Sequence, residues 1–182
     1  MSECTTINHT LWIENNYPGV FSLPKLINVD GIYIGDAFYS DTTQAIASGT
    51  LTGVSLPAVT STFEILAINI GSIESIDIPN LAAVGLTVEL SGLPALKTFT
   101  FSENFNGQYV NITNTGLTQF AWKSSAYVYD MRLIGNVNLQ TMTFADKANI
   151  SQYVQSYPLP LPLTSNTHSS KRHISADQRT FY

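Results

Sequence analysis

The stretch Val88-Glu89-Leu90-Ser91-Gly92-Leu93-Pro94-Ala95-Leu96-Lys97-Thr98-Phe99-Thr100-Phe101 decides the fold. It opens on an apolar-x-apolar triplet, turns through Ser-Gly-Leu-Pro, and closes through Leu-x-x-apolar on a second triplet. In a strand, successive side chains point to opposite faces, so each triplet buries its flanks and exposes its middle residue. Neither triplet is long enough to fold alone. The question is whether they recur.

They do. Phe21-Ser22-Leu23, Val54-Ser55-Leu56, Ile76-Asp77-Ile78, Phe99-Thr100-Phe101, Phe120-Ala121-Trp122 and Met142-Thr143-Phe144 form one series, with steps of 33, 22, 23, 21 and 22 residues. The other series runs Leu11-Trp12-Ile13, Ile32-Tyr33-Ile34, Leu66-Ala67-Ile68, Val88-Glu89-Leu90, Val110-Asn111-Ile112 and Met131-Arg132-Leu133. Its middle residues step by 21, 34, 22, 22 and 21. A period of 20 to 30 residues marks a solenoid. The expected fold is an all-β, right-handed parallel β-solenoid of about 22-residue coils with two parallel sheets. Stacked coils share one core, and each strand's backbone groups bond to the next coil.

The spacers fit tight corners, because Gly and Asn tolerate left-handed backbone. The domain reading is a cap or truncated start over 1–10, the solenoid over 11–148, and a Pro- and Ser/Thr-containing tail over 149–182 expected to be disordered. The coil between Tyr33 and Ala67 carries about 11 extra residues within 35–50, including Asp36 and Asp41. Solenoid insertions map to loops on one face and often bind ligands.

Composition bounds the function. The chain has 182 residues, 44% hydrophobic and 12% charged, with a formal net charge of -5. That is enough apolar material for a core, and it leaves no basic footprint for nucleic acid. No apolar run is long enough to span a membrane. Cys4 is the one cysteine, so an intrachain disulfide is excluded.

Phe21-Ser22-Leu23-Pro24-Lys25-Leu26-Ile27-Asn28-Val29-Asp30-Gly31-Ile32-Tyr33-Ile34 resembles the repeat of the fungal GPI-anchored cell-wall organisation proteins. Leu11-Trp12-Ile13-Glu14-Asn15-Asn16 and Leu90-Ser91-Gly92-Leu93-Pro94-Ala95-Leu96 look like the same repeat's second strand and corner. That family is similar in turn to the receptor L-domains, which are leucine-rich-repeat-like solenoids. The resemblance covers Leu11 to Ala145. It implies a secreted, glycosylated, non-catalytic cell-wall or cell-surface protein with no cofactor. Its expected partners are wall polysaccharide or surface proteins. The membrane would be reached only through a lipid anchor, whose signal this sequence lacks, as it lacks a signal peptide. The chain therefore reads as a truncated product of such a protein.

Three N-x-Ser/Thr sequons occur, at Asn8, Asn111 and Asn149. Asn111 is an outward middle residue and is the first choice for glycosylation. Trp12 and Tyr33 are outward neighbours that either stack on a sugar ring or shield the end of the solenoid. Tyr127 and Tyr129 invite the same two readings. Together with Asp36 and Asp41 they make up the candidate ligand face. Two further functions stay open: a receptor L-domain-type module that binds a protein or peptide, and a polysaccharide-acting enzyme. The enzyme reading is disfavoured. The acids do not fall in adjacent outward columns, His9, His168 and His173 lie outside the repeat body, and no metal-ligand spacing occurs.

Overall fold

A computed structural model describes residues 3–35 and 46–156. Asp36, Asp41 and the stretch from 157 onward lie outside the described residues. The chain is an all-β parallel solenoid of about 6 turns, with coils of about 22 residues. Its long sheet stacks β1 (Thr6–Ile13), β3 (Asn28–Gly35), β5 (Ser61–Thr62) with β6 (Glu64–Ile68), β8 (Ala83–Leu93), β10 (Asn106–Thr115), β12 (Tyr127–Ile134) and β14 (Asn149–Ser156). Every pairing is parallel. The stack extends past both ends of the 11–148 stretch, because β1 begins at Thr6 and β14 pairs with β12 from Asn149 to Ser156.

The second sheet is split. β2 (Gly19–Ser22), β4 (Leu51–Ser55), β7 (Ser75–Asp77) and β9 (Thr98–Phe99) form one part, and β11 (Gln119–Trp122) with β13 (Thr141–Phe144) form the other. The single second sheet read from the sequence is thus interrupted between β9 and β11. The break coincides with an aromatic cluster in the core. Phe101 packs on Phe99, Phe105, Phe120 and Trp122 with ring centroids 4.7–6.0 Å apart. Large rings stacked coil on coil fill the interior where aliphatic side chains fill the other turns.

Register follows the first series of triplets. Phe21 pairs with Val54, Val54 with Ile76, Ile76 with Phe99, and Phe120 with Met142. The second series needs one correction. Tyr33 pairs with Leu66 and Leu66 with Glu89, so the third triplet is Ile65-Leu66-Ala67 and not Leu66-Ala67-Ile68. Ala67 points inward and is fully buried, while Leu66 is half-buried on the outer face. Ile68, Asn69 and Ile70 are all buried at the corner, so alternation alone could not choose between the two frames.

That corner also carries a ladder. Ile68 pairs with Ser91, Ser91 with Thr113 and Thr113 with Ile134. The next residues are Asn69, Gly92, Asn114 and Gly135, and all four have positive φ, between 53° and 66°. Asn and Gly are the residues that enter the left-handed region most cheaply. They alternate here for a steric reason. The Asn69 amide oxygen occupies the space a Cβ on Gly92 would need, and Asn114 does the same to Gly135. Below this corner the buried Asn136 accepts from the Thr115 N–H (2.9 Å) and hydroxyl (2.6 Å) and donates to the Ile112 carbonyl (2.8 Å). It closes backbone groups that would otherwise be buried without partners.

Candidate outer-face binding surface

The two outer faces differ in chemistry. On the shorter sheets the outward middle residues are Ser22, Ser55, Asp77, Ala121 and Thr143, all small, and Thr100 follows just past β9. On the long sheet the column runs Trp12, Tyr33, Leu66, Glu89, Asn111 and Arg132, in register. Beside it lie Phe63, Tyr109, Tyr127 and Tyr129, all exposed.

Trp12 is 44% exposed and meets Tyr33 edge to face, with centroids 5.9 Å apart and planes at 69°. The pair is therefore a corner of two rings, not one flat platform. The Trp12 indole N–H donates to the Gly35 carbonyl at 3.3 Å, and the Tyr33 hydroxyl bonds to the Glu64 carboxylate. That bond, helped by burial and the charge of Glu64, pushes the Tyr33 phenol up to about 12. Tyr109 and Tyr129 make a second edge-to-face pair at 5.6 Å. Tyr127, 50% exposed, stands two residues before Tyr129 on the same strand.

Phe63 and Tyr109 were missed as members of this face. Tyr109 was within reach, since it precedes the inward Val110. Phe63 was not, because strict alternation back from the buried Ile65 turns it inward. A bulge lies opposite: from Thr62 to Ile65 is one step shorter than from Val84 to Val88, so the extra residue is on β8, while β5 and β6 keep step with β3. Thr62 and Ile65 are both buried, and Phe63 is 56% exposed with its ring over Gly85. Bulges disrupt the ladder locally and re-aim side chains.

The charged groups of the face are engaged with neighbours. Arg132 contacts the buried Asp130 carboxylate at 2.8 and 3.0 Å, and this hydrogen bond and charge hold the guanidinium above its ordinary range. Arg132 thus turns to its own strand and not to Glu89, which lies two strands away. Glu89 accepts from the Asn111 amide at 3.4 Å. Burial raises its carboxyl, and the Asn111 hydrogen bond offsets part of that. Among the described residues no group of three or more His, Cys, Asp or Glu side chains gathers into a metal-ligand set.

The sequons sit in different settings. Asn111 is half-buried, and its amide oxygen accepts from the Thr113 hydroxyl at 2.8 Å. Asn8 and Asn149 are exposed on β1 and β14. Cys4 is a free, half-buried thiol packed against the end of the core. Asp36 and Asp41 belong to the loop outside the described residues. Comparison with known proteins finds no matching family model, no matching curated protein and no matching solved structure.

Proposed function

We propose that this chain is a non-catalytic cell-surface protein of the fungal cell-wall organisation type, and that it contacts the wall through the outer face of its long sheet. The observation that carries this reading is the asymmetry of the two outer faces. One presents exposed rings among hydrogen-bonding groups, and the other presents mainly Ser, Thr, Ala and Asp, with Val20 exposed at one end and no exposed ring on its described strands. Exposed apolar groups gathered on one face mark binding surfaces. The repeat strings around Phe21–Ile34 and Leu90–Leu96 add the family resemblance. The acids also favour a scaffold: Glu64 accepts from Tyr33, Glu89 faces Asn111, and Asp130 holds Arg132. A receptor L-domain-type module is the second reading, favoured by the three exposed tyrosines 109, 127 and 129 beside that ion pair. Fractionation of cells that make the endogenous protein, with and without endoglycosidase treatment, tests the proposal. A glycosylated product retained in the wall or membrane fraction supports it. A cytosolic product of unchanged size overturns it.

A further inference from the structure

We infer that the ligand of the long-sheet face is an uncharged, extended polysaccharide lying obliquely across the strands. The inference rests on the wall-contact reading above and names the polymer and its direction. Three features of the face lead to it.

The first is periodicity. Counting strands along the sheet, rings stand outward on β1 (Trp12), β3 (Tyr33), the junction of β5 and β6 (Phe63), β10 (Tyr109) and β12 (Tyr127 and Tyr129). The one strand of the run without a ring is β8. There the Phe63 ring lies over the exposed Gly85, and Glu89 stands in the outward column. Trp12 and Tyr33 share one column, whereas Phe63, Tyr109 and Tyr129 stand two to three residues N-terminal to it, so the rings run obliquely across the sheet from β1 to β12. The strip advances by one strand spacing per rung, about 4.8 Å, and five steps make about 24 Å. A ligand that repeats at a similar distance can follow such a run of rings, and an extended chain of pyranose rings does so. About five rings would span the strip.

The second is the pairing of ring with hydrogen-bonding group. Glu64 lies beside Tyr33 and Phe63, Glu89 and Asn111 lie on the next strands, and Gln108 lies beside Tyr109. Sugars present apolar C–H faces and hydroxyl edges, so they need both kinds of group at each rung. A protein partner would favour a compact hot-spot centre with a surrounding rim over a strip.

The third is charge. The strands of this face carry Asp30, Glu64, Glu89 and Asp130 against Arg132, and Arg132 is already paired. An acidic polymer would meet like charge, which is costly at an interface. A neutral one would not.

The test is a length series of neutral β-linked gluco-oligosaccharides, titrated calorimetrically against the full chain, with oligogalacturonate as the acidic probe. Affinity is expected to rise up to about five rings and then level off, with the acidic series at least about tenfold weaker. Trp12→Ala and Tyr129→Ala, at opposite ends of the strip, should each weaken the longest ligand by about tenfold, and Ser55→Ala on the other face should not. Trp12 also makes a hydrogen bond, so Phe63→Ala, which removes a ring and no side-chain hydrogen bond, provides an independent variant. Thermal melts confirm that each variant is folded. Affinity independent of length, equal binding of the acidic series, or no binding of any neutral oligosaccharide overturns the inference. Wall retention that persists without oligosaccharide binding would overturn it in favour of a wall protein as partner, while the wall-contact reading stands. A cytosolic product would remove both.

Discussion

Gly92→Ala should cost far more than Gly135→Ala, although the two glycines hold equivalent places in the same ladder. Both have φ near +65°. An alanine in the left-handed region costs about 1–2 kcal/mol, and both variants incur that. The second contribution differs. At either site the new Cβ meets the amide oxygen of the Asn one coil below. Asn114 is exposed and can swing away. Asn69 is 4% exposed, so it can move only by displacing packed neighbours. Overpacking of that kind costs a further 1–3 kcal/mol or so. Gly92→Ala should therefore lose about 3 kcal/mol, or about 6–12 °C in Tm for a chain of this size, and Gly135→Ala about 1–2 kcal/mol. Urea and thermal melts read both. The double variant Gly92→Ala with Asn69→Gly should be less destabilised than the sum of its parts, by about 1–3 kcal/mol, because the clash is gone. Equal losses at 92 and 135, or no coupling between 69 and 92, would refute the steric account of the Asn/Gly alternation.

Other predictions follow from the same contacts. Asn136→Ala removes the side-chain partner of the Thr115 N–H and of the Ile112 carbonyl and should cost about 2–4 kcal/mol in urea melts. Because burial raises the Glu89 carboxyl, its contribution to stability is complete below the ordinary carboxylate range and is lost as pH rises through the folded value. Glu89→Gln should thus gain stability relative to the parent as pH rises from about 3 to 7, and a difference that shrinks over that range would contradict it. Tyr33 follows the same sign: its phenol stabilises the fold below about pH 10, and the contribution is lost as pH rises towards the folded value near 12. Ultraviolet tyrosinate titration should show one late step, absent in Tyr33→Phe and moved to lower pH in Glu64→Gln.

The solenoid was legible because its signal is redundant. Six triplets at a near-constant step fix both the coil length and most of the register, and a single coil could have fixed neither. Where the reading slipped, two answers satisfied the same rule. Ile65, Leu66, Ala67 and Ile68 are a continuous apolar run, so a one-residue shift left an equally apolar triplet. The neighbours Tyr33 and Glu89 decide the frame, and their pairing is a tertiary fact. The split of the second sheet was hidden for another reason. Phe99-Thr100-Phe101 has the right alternation, and the rings assembled around Phe101 from its own coil and the next distinguish it from Val54-Ser55-Leu56. The Asn/Gly ladder is visible afterwards as Asn69, Gly92, Asn114 and Gly135, at steps of 23, 22 and 21. The candidate face was half legible. Alternation reaches Trp12, Tyr33 and Tyr109, but Phe63 stands opposite a bulge that no period-two argument contains.

The central claim is that the long-sheet face is what holds this protein to the wall. It is tested most directly by fractionating cells that express the full chain with Trp12→Ala and Tyr129→Ala together, beside Ser55→Ala with Thr143→Ala on the opposite face. The account predicts that the parent and the opposite-face variant stay in the wall fraction, while the long-sheet variant, folded and equally abundant, is released. Equal retention of all three, or a parent that never reaches the wall, would contradict it.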